Sequence, residues 1–526
     1  MVNVVVCSSE PIIHEQFMEK SNLYNFQVIK HLTFRPIEIL KIESIKVENV
    51  VDLSNLNKKL LDGKLEDMLY YKNIDFIQSN QFFESIIFHM MNRIDIHKDL
   101  KYLERRNIYY KLIAYWIKFF NENDVDLVFF SGIPHEVSDY GAYLTSKYLG
   151  INTLILTPVY QFNRVMINKD FKSPYFNEKF KKLYDELNSS ESINFESIFE
   201  NHLNFENSIQ VADTLSKFQM ENKKFATGFK KISLFRSLRQ IFIKNGLTDD
   251  SIISGYREIL VNRSFLVTIL KYLKYFISYT QINLEVKSLN LSYTKFAQKE
   301  FDLNFEYVLY YLHYEPENST TPMGGFFGNQ ELVISAIALN LPKNWKLIVK
   351  EHPFQISNIS GYSYLGRETG FYNRIANIPN VVLLRHSVHS FEILQNAKAV
   401  ATITGSIGWE AHVLGKPVLI FGDVWYEGLT NMYRVLESKE IARILSNIHE
   451  DIFNESVDNL RIQELKTTIR DIHRNSFSFN YSKQECSSLG LIWDENEIRI
   501  KIDKIIDFII ENHQSVFTQG SAPEGI

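Results

Sequence analysis

Between positions 345 and 422 the chain alternates short apolar runs with segments of helical period. Residues 346–350, 381–384, 399–404 and 418–421 are compact apolar stretches bounded by turn-forming residues. That pattern predicts buried strands of a parallel sheet joined by helices. A strand at 307–312 (YVLYYL) and a helix at 331–339 (ELVISAIAL), stopped by Asn340 and Pro342, belong to the same unit. The first 165 residues show the same plan. Strands are predicted at 2–6, 126–130 (DLVFF) and 153–158 (TLILTP), with helices at 111–121 and 134–148. Pro134 suits a first helical turn and Gly150 a helix stop. Strand–helix–strand at this spacing argues for a parallel sheet with helical crossovers in each half.

Between these halves the pattern changes. From about residue 163 to 300, strand signals fade and lysine-rich helical periods replace them. Helical patterns dominate again over 438–513, and TQGSAPEGI at 518–526 reads as a disordered tail. The predicted organisation is an α/β domain at 1–165, a helical insertion or arm at 166–300, a second α/β domain at 301–437, C-terminal helices at 438–517 and the tail.

Composition narrows the classes. A chain of 526 residues exceeds one ordinary core. With 45% hydrophobic and 23% charged residues it is not broadly disordered. A net charge of −5 provides no global basic field, so nucleic acid is not an expected partner. Cys7 and Cys486 alone make no disulfide framework or metal cluster, which suits a reducing compartment. The amino terminus reads as a strand rather than a secretory signal, and no window has the length of a membrane span. A cytoplasmic location is expected, with one qualification. Residues 223–244 hold seven Lys/Arg and no acid among nine large apolar residues. They read either as a basic amphipathic helix touching the inner face of an anionic membrane or as a helix packed on the protein with its lysines in water.

Candidate chemistry sits where predicted strands end. His352-Pro353 follows the strand at 346–350, and Lys350 precedes it by two residues. An imidazole there can donate to a phosphate oxygen, or can merely cap a carbonyl. Thr404-Gly405-Ser406 opens a helix at 407–414, whose first free N–H groups form an anion site, while Gly405 admits a ligand close to the backbone. Glu410 lies four residues after Ser406 and shares its face, where it can accept ribose hydroxyls or simply be solvated. In the first half, His135, Glu136 and Asp139 open the helix after DLVFFSG. With Val137, Tyr140, Leu144 and Tyr148 as its buried stripe, His135 and Asp139 fall together on the opposite side. One of the three is a candidate general base or nucleophile, although acids in a first turn are also favoured by the helix dipole. Glu315, Glu317, Gly324 and Gly325 lie in the loop after 307–312, as loop contacts to a ligand or as a turn. No Walker loop, HExxH or paired CxxC occurs, so neither metal nor dinucleotide cofactor is expected.

Taken as a set, KEHP, the run RHSVHSFEILQNAKAVATITGSIGWEAHVLGKPVLIFG, the trailing WYEG, LHYEPENSTTPMGG and SGIPHEVSDYG resemble the capsule polysaccharide biosynthesis proteins, which include bacterial Kdo transferases. The likeness is strongest over 305–428. It implies a GT-B glycosyltransferase that needs no bound metal: two Rossmann-like domains facing a cleft, with the donor nucleotide on the second. By that analogy His352 and Ser406 hold the donor phosphate and Glu410 the ribose, and the base comes from His135 or Asp139. The implied partners are a nucleotide-sugar donor, with CMP-Kdo the first expectation, and a saccharide or lipid-linked saccharide acceptor. The helical arm departs from the family pattern. Rival readings are a polyol-phosphate transferase of the CDP-glycerol type, a nucleotide-sugar epimerase, and a non-catalytic binding scaffold in capsule assembly.

Overall fold

A computed structural model describes residues 2–203 except 25, 64, 66–73, 96–99, 172–177, 190 and 192–193, and residues 280–517 except 282–283, 300–303, 353–354, 356–362, 386–387, 389, 451–456 and 480–492. Most of the helical arm, the basic segment 223–244, Pro353, Cys486 and the tail at 518–526 lie outside the described residues.

The strands of the first half are β1 (Val2–Cys7), β2 (Phe26–Thr33), β3 (Val50–Asp52), β4 (Leu127–Phe130), β5 (Asn152–Val159) and β6 (Arg164–Asn168). Those of the second are β7 (Tyr307–Tyr311), β8 (Lys346–Lys350), β9 (Val381–Leu384), β10 (Ala399–Thr402), β11 (Val418–Ile420) and β12 (Met432–Arg434), followed by β13 (Phe477–Ser478). They form two sheets, ordered β13-β6-β5-β4-β1-β2-β3 and β12-β11-β10-β7-β8-β9. The second sheet is parallel throughout; in the first, β6 pairs antiparallel with both β5 and β13, and the remaining pairs are parallel. Each sheet therefore carries the doubly wound order in which the first strand of the unit lies at the centre and the fourth beside it. The winding order reverses between β1 and β4, and again between β7 and β10. In such sheets ligands bind outside the carboxyl ends of the strands at that reversal.

The apolar runs are strands because both of their faces are covered. Val4 and Val6 point into one core and Val5 and Cys7 into the other, all buried. In the second sheet Val308 and Tyr310 face one cluster, Tyr307 and Leu309 the other. The longest crossover of the first domain, the helix Tyr102–Asn123, buries Trp116, Phe119 and Phe120. Asp124 then takes a left-handed turn (φ 46°) that swings the chain into β4.

The helix expected over 134–148 spans Val137–Tyr148. Pro134 lies ahead of it, because Glu136 is the N-cap and forms a reciprocal capping box with Asp139. The C-terminal segments return to the first domain. Phe477 pairs with Val165, extending that sheet, and the helix Glu495–Phe517 packs beside Pro11–Ser21, tied by Lys20 to Asp507 at 2.8 Å. Among the described residues no helix is long and apolar enough to cross a membrane.

Candidate functional site

The reversal point of the second sheet is occupied by His313, two residues past β7. Its Nε2 accepts from the backbone N–H of Ile403 at 3.2 Å, just past β10, and lies 3.3 Å from Thr402 Oγ1. An acceptor nitrogen cannot be protonated, and burial pushes this imidazole down to about 3, helped by the nearby His352 and Arg367. His313 is thus a neutral strut joining the two loops that frame the site.

His352 stands on the neighbouring strand end, with its ring 5.7 Å from that of Tyr314. Burial lowers it to about 4; Glu351 pulls the other way and Arg367 adds to the lowering. At neutral pH it offers an uncharged N–H rather than a cation. Its position is fixed from behind by a buried ion pair. Arg367 Nε and Nη2 each donate to Glu351 at 2.9 Å, Tyr372 donates to the same carboxylate at 2.8 Å, and the backbone N–H of His352 donates to it at 2.7 Å. Arg367 Nη2 also donates to the carbonyl of His313 at 2.8 Å. One network therefore sets both histidines. Neither Glu351 nor Arg367 was singled out in the sequence, although Glu351 stands inside KEHP.

The helix Ser406–Val413 follows β10 directly. Gly405 is its N-cap and supplies no side-chain cap; the Gly408 N–H turns back to the Gly405 carbonyl at 3.1 Å, which leaves the N–H groups of Ser406 and Ile407 at the strand end. A Cβ at Gly405 would come within 2.9 Å of Thr402 Oγ1 and 3.2 Å of His313 Cε1, so packing alone accounts for the glycine. Ser406 Oγ donates to Glu410 at 2.8 Å, so the two do share an exposed face. Tyr426, from the WYEG segment, donates to the Gly405 carbonyl at 2.6 Å and steadies the turn.

Other expected groups are placed differently. Lys350 does not reach toward a ligand: its ammonium is buried and donates to the Val388 carbonyl at 2.7 Å and to Ser390 Oγ at 2.5 Å. The segment after β9 brings these two acceptors over it. Thr404 Oγ1 donates to the Ser319 carbonyl at 2.5 Å. Glu317 contributes its carbonyl to the turn that places Thr321, accepting from the Thr321 N–H at 3.2 Å. Gly324 continues this turn and Gly325 adopts φ 51°, the turn role weighed above. Glu315 is buried; Oε1 accepts from Gln330 at 3.0 Å, and Oε2 is 4.0 Å from His89 Nε2 of the first domain.

Across the cleft, the reversal point of the first sheet holds Ser8 and Ser131, hydroxyl to hydroxyl at 2.9 Å, and then His135, Glu136 and Asp139. The expectation that Asp139 is open to the cleft is corrected: its whole helix from Val137 to Ser146 is buried. The capping box draws Asp139 inward, where Oδ1 accepts from the Glu136 N–H at 2.8 Å. Burial, reinforced by Glu136, raises its carboxyl well above the usual range. Tyr148, placed in the buried stripe, is 39% exposed. His135 is half-buried, and its Nδ1 donates to the Ile133 carbonyl at 2.7 Å. Since the carbonyl can only accept, Nε2 of the neutral ring is unprotonated. Burial and Arg93 keep this imidazole below its ordinary value, against the pull of Glu136.

The halves touch through the helix Gln81–Met90 and the turn after it. Arg93 Nη2 donates to the Thr321 carbonyl at 2.8 Å, His89 Nδ1 lies 3.1 Å from Thr321 Oγ1, and Met323 packs into the first domain's core. Behind the site, Trp425 donates to Gln161 at 3.0 Å and Phe162 packs on Trp409. A cavity of about 720 Å³ between Lys30, Asp52, Tyr115 and Phe119 opens on the outer flank of the first domain, away from these groups. The strand-end chemistry therefore locates the candidate site at the cleft. Among the described residues no cluster of His, Cys, Asp or Glu is arranged to hold a metal.

Two doubly wound sheets, with His313, His352 and an uncapped helix start at one reversal point and His135 at the other, define a GT-B-like protein of two Rossmann-like domains. Residues 263–443 match the model of the capsule polysaccharide biosynthesis protein family. The capsule polysaccharide modification protein LipA of Neisseria meningitidis serogroup B is 32% identical over 91 residues, 17% of this chain and 12% of LipA. Its serogroup A counterpart is 31% identical over the same share. The matched stretch thus spans only a small part of these relatives. Among solved structures, the β-Kdo 2,4 transferase of Thermosulfurimonas dismutans KpsC shares 15% identity, covering 60% of this chain and 79% of that one, with a TM-score of 0.25. The UDP-GlcNAc 2-epimerase of Neisseria meningitidis bound to UDP-GlcNAc shares 10%, covering 97% and 100%, with a TM-score of 0.22.

Proposed function

We propose that the protein is a glycosyltransferase of capsule or surface polysaccharide synthesis, moving a sugar from a nucleotide-activated donor, with CMP-Kdo the first choice, to a saccharide or lipid-linked saccharide. One observation carries the reading: His313 holds the loop after β10 by the Ile403 N–H, while His352 stands close enough to shift its titration. The uncapped start of Ser406–Val413 and a neutral histidine thereby converge at a reversal point, where a donor phosphate is matched by N–H groups rather than by a metal. Glu410, paired with Ser406, is positioned for the ribose. On the facing side His135 is the better base: its Nδ1 proton is anchored to a carbonyl and its Nε2 is bare, whereas Asp139 is sealed in the capping box. Glu136 remains the alternative carboxylate. A polyol-phosphate donor of the CDP-glycerol type would use the same phosphate site.

Incubating the full chain with CMP-Kdo, UDP-sugars or CDP-glycerol and scoring donor consumption separates these donors. His352→Ala and Glu410→Ala should each lower transfer at least about tenfold, roughly 1.4 kcal/mol of transition-state binding. Full activity in both folded variants sinks the site assignment. Conversion of free nucleotide sugar without acceptor would instead indicate an epimerase.

A further inference from the structure

One charged group in the cleft has no task in this scheme. Arg93 closes the turn Met91–Arg93 and reaches across to the second domain, where Nη2 donates to the Thr321 carbonyl. Its Nη1 is shut from water and has no acceptor among the described residues. A guanidinium nitrogen left in that condition is unfavourable, so such groups normally find an oxyanion. The carboxylates beside it do not serve: Asp139 accepts from the Glu136 N–H, and Glu136 caps the Val137–Tyr148 helix in return. Yet the charge is close enough to lower both His89 and His135 and to oppose the rise of Asp139. Arg93 therefore stands between the candidate base and the loop of the donor domain.

We infer that Arg93 is the cleft's receptor for an anionic substituent on the acceptor saccharide, a carboxylate or phosphate engaged through Nη1. The inference rests on the cleft being a glycosyl-transfer site. Parting of the domains breaks the contact with Thr321 and uncovers the guanidinium; closure over a bound acid then seats the acceptor beside His135 Nε2. Arginine suits this role because its planar fork matches oxyanions and it never loses its charge. A neutral acceptor leaves Nη1 unpaired, so the cleft selects for acid.

The test uses paired probes on the full chain: methyl glucuronide against methyl glucoside, and glucose 6-phosphate against glucose, with binding followed by saturation-transfer NMR. The wild type should favour at least one acidic partner about tenfold or more, and which pair shows it separates carboxylate from phosphate. Arg93→Gln should abolish the preference, and Arg93→Lys should keep part of it. Both should retain the thermal shift given by CMP or UDP, a readout that a merely unfolded variant would lose. His352→Ala should do the reverse, losing the nucleotide shift and keeping the acid preference. Equal binding of acid and neutral twins by the wild type, or an unchanged preference in Arg93→Gln, overturns the inference. Absence of any nucleotide shift in the wild type counts against the glycosyl-transfer reading instead.

Discussion

Removing the Arg367 side chain tests the frame on which the proposed donor site hangs. Arg367 and Glu351 are 1% and 0% exposed, so neither charge is solvated. Arg367→Met would leave Glu351 with only the Tyr372 hydroxyl and the His352 N–H as donors. Breaking one side of a buried pair costs about 3–5 kcal/mol, because the orphaned charge must be protonated or hydrated. The lost donation to the His313 carbonyl adds about 1 kcal/mol. Replacing both partners by apolar residues, Glu351→Leu with Arg367→Met, removes the orphan and should recover a large part of the loss. Urea denaturation followed by tryptophan fluorescence is weighted toward the affected domain, since three of the five tryptophans, Trp345, Trp409 and Trp425, belong to it. The single variant should lower the midpoint at nearly constant slope. A loss under about 1 kcal/mol, or a double variant as unstable as the single one, would refute the reasoning.

Two further predictions concern packing and pH. Gly408→Ala should destabilise by about 1–3 kcal/mol and weaken nucleotide binding, because the new Cβ would meet the Tyr426 hydroxyl at 2.5 Å and dislodge its bond to Gly405; unchanged thermal and nucleotide-binding midpoints would contradict it. His14 and His31 touch Nδ1 to Nδ1 at 2.9 Å in the first core, and burial holds them at about 4 and about 3 against an ordinary 6.5. The unfolded chain then binds more protons than the native one, so stability should fall as pH drops from about 6.5 toward 4 and level off below both lowered values. His31→Leu should flatten part of that slope, and an unchanged slope in pH-resolved denaturation would rule the pair out as its source.

The central strands were legible because they are continuous apolar runs. Strands β7 to β11 and the helix Ser406–Val413 fall within a residue or two of the predicted positions. Strands β2, β3, β6, β12 and β13 were not predicted. Phe26–Thr33 mixes Gln, Lys and His with its apolar residues, and β3 and β12 are half-buried edge segments of three residues each. Pairing of Phe477 with Val165 depends on contacts hundreds of residues apart, which no local period records. The proposed phosphate-side groups stood out because a histidine and a Gly-Ser pair follow apolar strands. His313 follows one too, within LHYEP, and was overlooked beside the more conspicuous Glu315. Lys350 misled because strand alternation gives a face but not the loop that Val388 and Ser390 bring to it. Arg93 carried no signal, since its significance comes from Thr321 on the other domain.

The return of the chain's last segments to its first sheet dictates an order of assembly. Every strand of the second sheet lies between Tyr307 and Arg434, and its cores are closed by Ile441, Ile444, Leu445, Ile448, Leu465, Ile469 and Ile472, so that domain is complete before Phe477 has been made. The first domain lacks Phe477–Ser478 and the covering helix Glu495–Phe517 until those later residues have been made. The half made first is therefore finished last, and during translation its uncovered face is where a chaperone would be needed.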